Sequence, residues 1–145
     1  MSYDLREHTA DIAVEATADS LGGVFAAVAD GMAAAMTEAT PASGSRFTFE
    51  ERAESREALL FDYLDRLIYE RDVRNILPVD HDATVREEAG EWVVEASARA
   101  VPLNEVHARD LKAVTYSEMD LSERHDGSSE GGSGSGWHAY VVFDV

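Results

Sequence analysis

The sequence predicts an α+β domain: a mostly antiparallel sheet of six or seven strands with two helices packed on one face. Three observations lead there. Two stretches repeat apolar residues at helical spacing, Leu21, Val24, Phe25, Val28, Met32 and Met36 in one and Leu60, Leu64, Leu67 and Ile68 in the other. Shorter runs alternate apolar and polar residues, and tight turns join some of them, as antiparallel hairpins require. A length of 145 residues, 45% of them hydrophobic, suits one domain with one core over 1–145.

Each element follows from its residues. Tyr3-Asp4-Leu5-Arg6-Glu7 alternates and reads as a first strand, and Ile12, Val14 and Ala16 share one face of a second. Asp19 or Ser20 caps the first helix, whose methionines are read as core packing. Thr40 to Gly44 is a loop and Arg46 to Glu50 a strand. Ser55 caps the second helix, which runs to about Arg71 with Asp62, Asp65, Arg66 and Glu70 on its wet side. Ala83–Glu87 and Trp92–Arg99 pair through a tight turn, with Trp92, Val94, Ala96 and Ala98 facing the helices. One strand spans Leu111 to about Leu121, a flexible Gly/Ser-rich hairpin tip occupies about 123–136, and Trp137–Val145 closes the sheet.

Composition excludes several functions. No cysteine is present, so disulfides, thiol catalysis and thiolate metal sites are absent. The N-terminus lacks a signal-peptide pattern, and no apolar run reaches the roughly 20 residues of a bilayer span. A cytoplasmic protein with no membrane contact is expected. Twenty-nine acidic residues against 12 basic ones leave a net charge of −17. Eleven of the 12 are Arg, and Lys112 is the one lysine. Such a surface suits a high-salt cytosol, where self-repulsion is screened. It lacks the basic face that nucleic acid demands, so contact with RNA is expected only through a partner protein.

Candidate chemistry gathers at the two ends of the sequence. His8-Thr9-Ala10-Asp11 joins the first two strands, and Asp144 sits beside the Val145 carboxylate at the end of an apolar strand. If the fold joins these ends, three carboxylates converge, and like charges that close need a proton or a cation. All-oxygen donors select a hard divalent cation; Ca²⁺, tolerant of irregular geometry, is favoured over Mg²⁺ or Mn²⁺. His8 either ligates or fixes the turn. Lys112 offers a compact point charge suited to a phosphate or an acidic cluster. No nucleophile motif, P-loop, Rossmann fingerprint or H-E-x-x-H spacing appears.

His8-Thr9-Ala10-Asp11-Ile12, the Leu59-Leu60, Tyr63-Leu64 and Leu67-Ile68-Tyr69 pattern, Leu111-Lys112-Ala113-Val114-Thr115-Tyr116 and the closing Val142-Phe143-Asp144-Val145 together resemble the archease family over essentially the whole chain. The resemblance implies an archease-like fold and a non-catalytic partner of an RtcB-type RNA-splicing ligase. Such a partner promotes guanylylation and multiple turnover of the ligase in tRNA splicing, and broadens the nucleoside triphosphates it accepts. It also implies metal ligation by Asp11, Asp144 and Val145, and a part in ligase activation for His8, Asp11, Lys112 and Asp144. Ser117-Glu118 after Tyr116 and Ala100-Val101 depart from the family's pattern, leaving the metal positions untouched. A stand-alone metal-dependent hydrolase and a chaperone-like interaction module are the competing readings.

Overall fold

The computed structural model describes residues 2–8, 11–125 and 135–145, with side chains described except at 5–8, 125 and 135. The elements run β1 (Ser2–His8), β2 (Asp11–Ala18), α1 (Leu21–Met36), β3 (Ser45–Ala53), α2 (Arg56–Arg74), β4 (Ile76–Glu88), β5 (Glu91–Pro102), a 3₁₀ turn (Leu103–Glu105), β6 (Ala113–Val114), β7 (Asp120–His125) and β8 (Ser135–Asp144). The α+β class and the two helices are as expected. The sheet is not single: eight strands divide between a five-stranded sheet, β1-β2-β8 with β6 and β7 on the far edge of β8, and a three-stranded sheet, β3-β5-β4.

Helix α1 explains the division. Its sequence, LGGVFAAVADGMAAAM, carries one charged residue, Asp30, and nearly every other position is buried. A helix apolar all round must be covered on more than one side. Here β4 lies against one side and β2 with β1 against another. A Cβ at Gly22 would come 2.3 Å from the Ala83 carbonyl oxygen on β4, and one at Gly31 would come 2.5 Å from Val14 Cγ1 on β2. The helix is thus held between the two sheets by residues without side chains, and the expected α+β packing of two helices on antiparallel strands is realised with those strands divided over two sheets. Met32 and Met36 are buried, as their reading as core residues required.

The caps are those expected. Ser20 Oγ accepts from Gly23 N at 3.0 Å and Ser55 Oγ from Ala58 N at 3.1 Å. Helix α2 runs one turn-fraction further than Arg71 and ends at Asn75, whose φ of 54° provides a left-handed stop. Val94, Ala96 and Ala98 join the core with Trp92 packed beside them. Tyr63 of α2 links the layers, its ring 5.6 Å from Phe25 on α1 and 5.8 Å from Phe49 on β3. Burial pushes its phenol pKa up.

Two local features escape the alternation pattern. Strand β4 starts at Ile76, before the expected Ala83; Pro78 and a bulge between Val79 and Asp82 hide its first half. In that bulge Asp80 adopts φ 52°, and His81 turns inward so that its N and Nδ1 meet Asp30 Oδ1 at 3.1 and 2.7 Å. The lone charge of α1 is thereby partnered. The strand expected over Leu111–Leu121 is two strands, β6 and β7, because Glu118 takes φ 59° and Met119 N closes a turn on Tyr116 O at 3.1 Å. The expected tip at about 123–136 falls largely at 126–134, outside the described residues; β7 and β8 extend to its two sides.

Arg56, the first residue of α2, has its guanidinium carbon 5.3 Å from the Trp92 ring centre and 5.1 Å from that of Trp137. Trp92 belongs to the smaller sheet and Trp137 to the larger, so one cation bridges the two. Arg56→Ala is expected to lower stability by about 1–2 kcal/mol, two ring contacts' worth. Since these are the two tryptophans of the chain, intrinsic fluorescence during denaturant unfolding checks it. An unchanged emission maximum in the folded variant would mean the sandwich does not persist in solution.

Candidate functional site

The start of β2 meets the end of β8. In the antiparallel pairing of β2 with β8, Asp11 lies opposite Asp144, Ile12 opposite Phe143 and Ala13 opposite Val142. On its other side β8 pairs with β6, placing Ala113 opposite Asp144, while Lys112 N donates to Asp144 O at 2.8 Å. On β1, His8 is the register partner of Asp11. Four strands therefore bring His8, Asp11, Asp144 and Ala113 into one row, with Lys112 and Val145 next to it in sequence. The His8 side chain and residues 9–10 lie outside what is described.

Local sequence explains the row. Phe143 is fully buried and opposite Ile12, so the pleat puts Asp144 and Asp11 on the other, outer face. Asp144 is exposed and Asp11 half-buried. Directly opposed residues share a face with Cβ atoms about 4.5–5.5 Å apart, and like charges so placed repel. Neither carboxylate has an ion pair among the described residues. The Lys112 side chain is exposed and likewise without one.

Two acids that face each other, without a cationic partner among the described residues, suit a divalent cation by the chemistry of their donors. The set is nonetheless smaller than a three-carboxylate cluster of side chains. Among the described residues no three His, Asp or Glu side chains form a metal-holding group. The third carboxylate expected from the sequence is the main-chain one of Val145, which lies at the exposed end of β8. Among the described residues, oxygen donors are therefore present at the pair but no metal site is formed.

The same outer face carries a cluster the sequence did not reveal. The His138 ring spans two carboxylates, Nδ1 3.0 Å from Asp120 Oδ2 and Nε2 2.8 Å from Glu15 Oε2, and Ser122 Oγ donates to Asp120 Oδ2 at 3.1 Å. These groups tie β7, β8 and β2 together. They come from positions 15, 120 and 138, and without the strand register no spacing rule connects them. Between this cluster and the Asp11–Asp144 pair lie Ala13 and Val142, both buried.

The result is a two-sheet α+β protein with a central apolar helix and an acidic pair where its second and last strands run side by side. The sequence profile of the Archease protein family (MTH1598/TM1083) matches residues 3–145, and the chain belongs to that family. It is 31% identical over 150 residues to protein archease of Methanosarcina acetivorans, covering 99% of this chain and 95% of that one. Protein archease of Pyrococcus furiosus is 25% identical over 143 residues, covering 96% and 95%. Among solved structures, the solution structure of Methanobacterium thermoautotrophicum protein 1598 is similar at a TM-score of 0.77 and 26% identity, over 99% of this chain and 98% of that one. Among the described residues no helix is long and apolar enough to cross a membrane.

Proposed function

We propose that this protein is an accessory factor of an RtcB-type RNA-splicing ligase, promoting guanylylation and multiple turnover and widening the range of nucleoside triphosphates used. Membership of the archease family supports the reading, and the register that sets Asp11 opposite Asp144 carries it. Asp11, Asp144 and the Val145 carboxylate would hold the divalent cation, Ca²⁺ before Mg²⁺ or Mn²⁺. Such an ion neutralises paired carboxylates and orients phosphate oxygens.

The chain's own residues do the rest. The β6–β8 pairing, with the Lys112 N–H on the Asp144 carbonyl, holds the Lys112 backbone beside the acidic pair. Its ammonium then steers phosphate toward the row as a point charge. His8, the register partner of Asp11, sets the entry to β2. The net charge of −17 keeps the protein off RNA, so it acts on the ligase and meets RNA only through it. It has no turnover of its own.

The test is ligation of RNA ends by the cognate ligase in substoichiometric amount, with GTP and with a second nucleoside triphosphate. Product should exceed the amount of ligase only when this protein is added. Equal product with and without it would end the reading, and phosphate release by the protein alone would make it a hydrolase instead.

A further inference from the structure

Helix α2 uses its arginines to cap aromatic rings. Arg56 lies over Trp92 and Trp137, Arg66 over Phe49 and Arg74 over Phe47, at 4.7 to 5.3 Å from the ring centres. Two tyrosines beside this helix have no such cap among the described residues. Tyr69 is 56% exposed on α2 itself, and Tyr116 is 55% exposed after β6. Tyr116 stacks on Phe61 of α2 at 4.2 Å between ring centres and 3° between planes, so one of its faces is held and the other is open.

Carboxylates without a cation lie between the two rings. Asp62 and Asp65 precede Tyr69 by seven and four residues, which places them on its side of the helix. Neither has an ion pair among the described residues, whereas neighbouring Arg66 is engaged by Glu51 at 2.7 Å and Glu70 at 2.9 Å. Partial burial, then the charges of Glu51 and Asp65, raise the Asp62 carboxyl pKa above its ordinary value. Burial, and then the charge of Asp62, raise the Tyr116 phenol in turn, so the acid and the ring share one neighbourhood. Exposed Val73 extends the strip one turn beyond Tyr69.

We propose that this face of α2, together with Tyr116, docks an arginine-bearing segment of a partner protein. Its guanidiniums take the open positions over Tyr69 and Tyr116 and pair with Asp62 and Asp65. Arginine is the fitting cation because its planar group stacks on rings and forks onto carboxylates, whereas the lysine ammonium is compact and strongly hydrated. A second copy of this chain is a poor occupant, since each copy carries −17 and would set acid against acid. Nucleic acid is opposed by the same carboxylates. This face is separate from the Asp11–Asp144 row, and it would serve a partner of this chemistry whether or not that partner is a ligase.

The probe is an alanine-based helical peptide with two arginines eight residues apart, matching the roughly 12 Å between Phe61 and Tyr69 along the helix. Matched peptides carry lysine or glutamate instead. Titration is followed by the tyrosine ring resonances in about 1 M salt, where general attraction to an acidic protein is screened. The arginine peptide should shift the Tyr69 and Tyr116 signals and bind more tightly than the lysine peptide. Tyr69→Ala and Tyr116→Ala should each weaken it about three- to fivefold. Tyr116→Leu, which keeps an apolar group on Phe61, should weaken it as much as alanine does, with circular dichroism confirming that each variant is folded. Absence of ring shifts, equal binding of arginine and lysine peptides, or unchanged affinity in the tyrosine variants would overturn the proposal. So would self-association in sedimentation that Tyr69→Ala abolishes, because the face would then belong to a second copy.

Discussion

Asp11→Ala and Asp144→Ala are each expected to reduce activation of the ligase at least roughly 100-fold while leaving the protein as stable as before or more stable. Loss of function and gain of stability come from one cause. The two carboxylates are opposed across β2 and β8 with no cation between them among the described residues, and removing one relieves a repulsion of about 0.2–1 kcal/mol. Phe143 and Ile12, buried on the other face, keep the strands paired. The measurements are multiple-turnover ligation with substoichiometric ligase and thermal unfolding of the factor alone. Calcium titration by calorimetry adds a readout independent of the ligase, since either substitution should remove the heat of binding. Survival of activation in both variants would refute the mechanism, and unfolding of both would make the pair structural.

Gly22→Ala is expected to destabilise the fold by about 2–3 kcal/mol, although alanine is the better helix former by about 1 kcal/mol. The new methyl would meet the Ala83 carbonyl oxygen and the Thr84 Cα of β4, both main-chain atoms that cannot swing aside. Gly31→Ala should cost less, about 1 kcal/mol, because the nearest atom there is a side-chain methyl of Val14. Denaturant unfolding of the two variants measures the difference. If Gly22→Ala raised stability, α1 would not be seated against β4, and the two-sheet arrangement would be wrong at its centre.

Much of this was legible along the chain. The apolar stripes and the serines before them marked both helices, since helical period and an unsatisfied first turn are local properties. The apolar run ending at Phe143 foretold a closing strand paired inside a sheet, and with it Asp144 on the opposite face. The division into two sheets was also present, in a form easily passed over. An α1 with one charged residue has no wet face, so it needs cover on both sides. Its strongest stripe, Leu21 to Met36, is only one of several apolar sides.

Residue type and near-neighbour spacing are enough to fix the two helices, most of the strands with their faces, and the acidic, cysteine-free character that bounds its partners. Long-range pairing sets Asp11 opposite Asp144, joins Glu15 to Asp120 through His138, turns His81 in to meet Asp30 and rests Tyr116 on Phe61. Those pairings depend on strand register and on a bulge at Asp80, and register is a long-range choice. A slip of one residue would exchange the two faces of a strand without altering any local preference, and the cost of burying the wrong face is what forbids it.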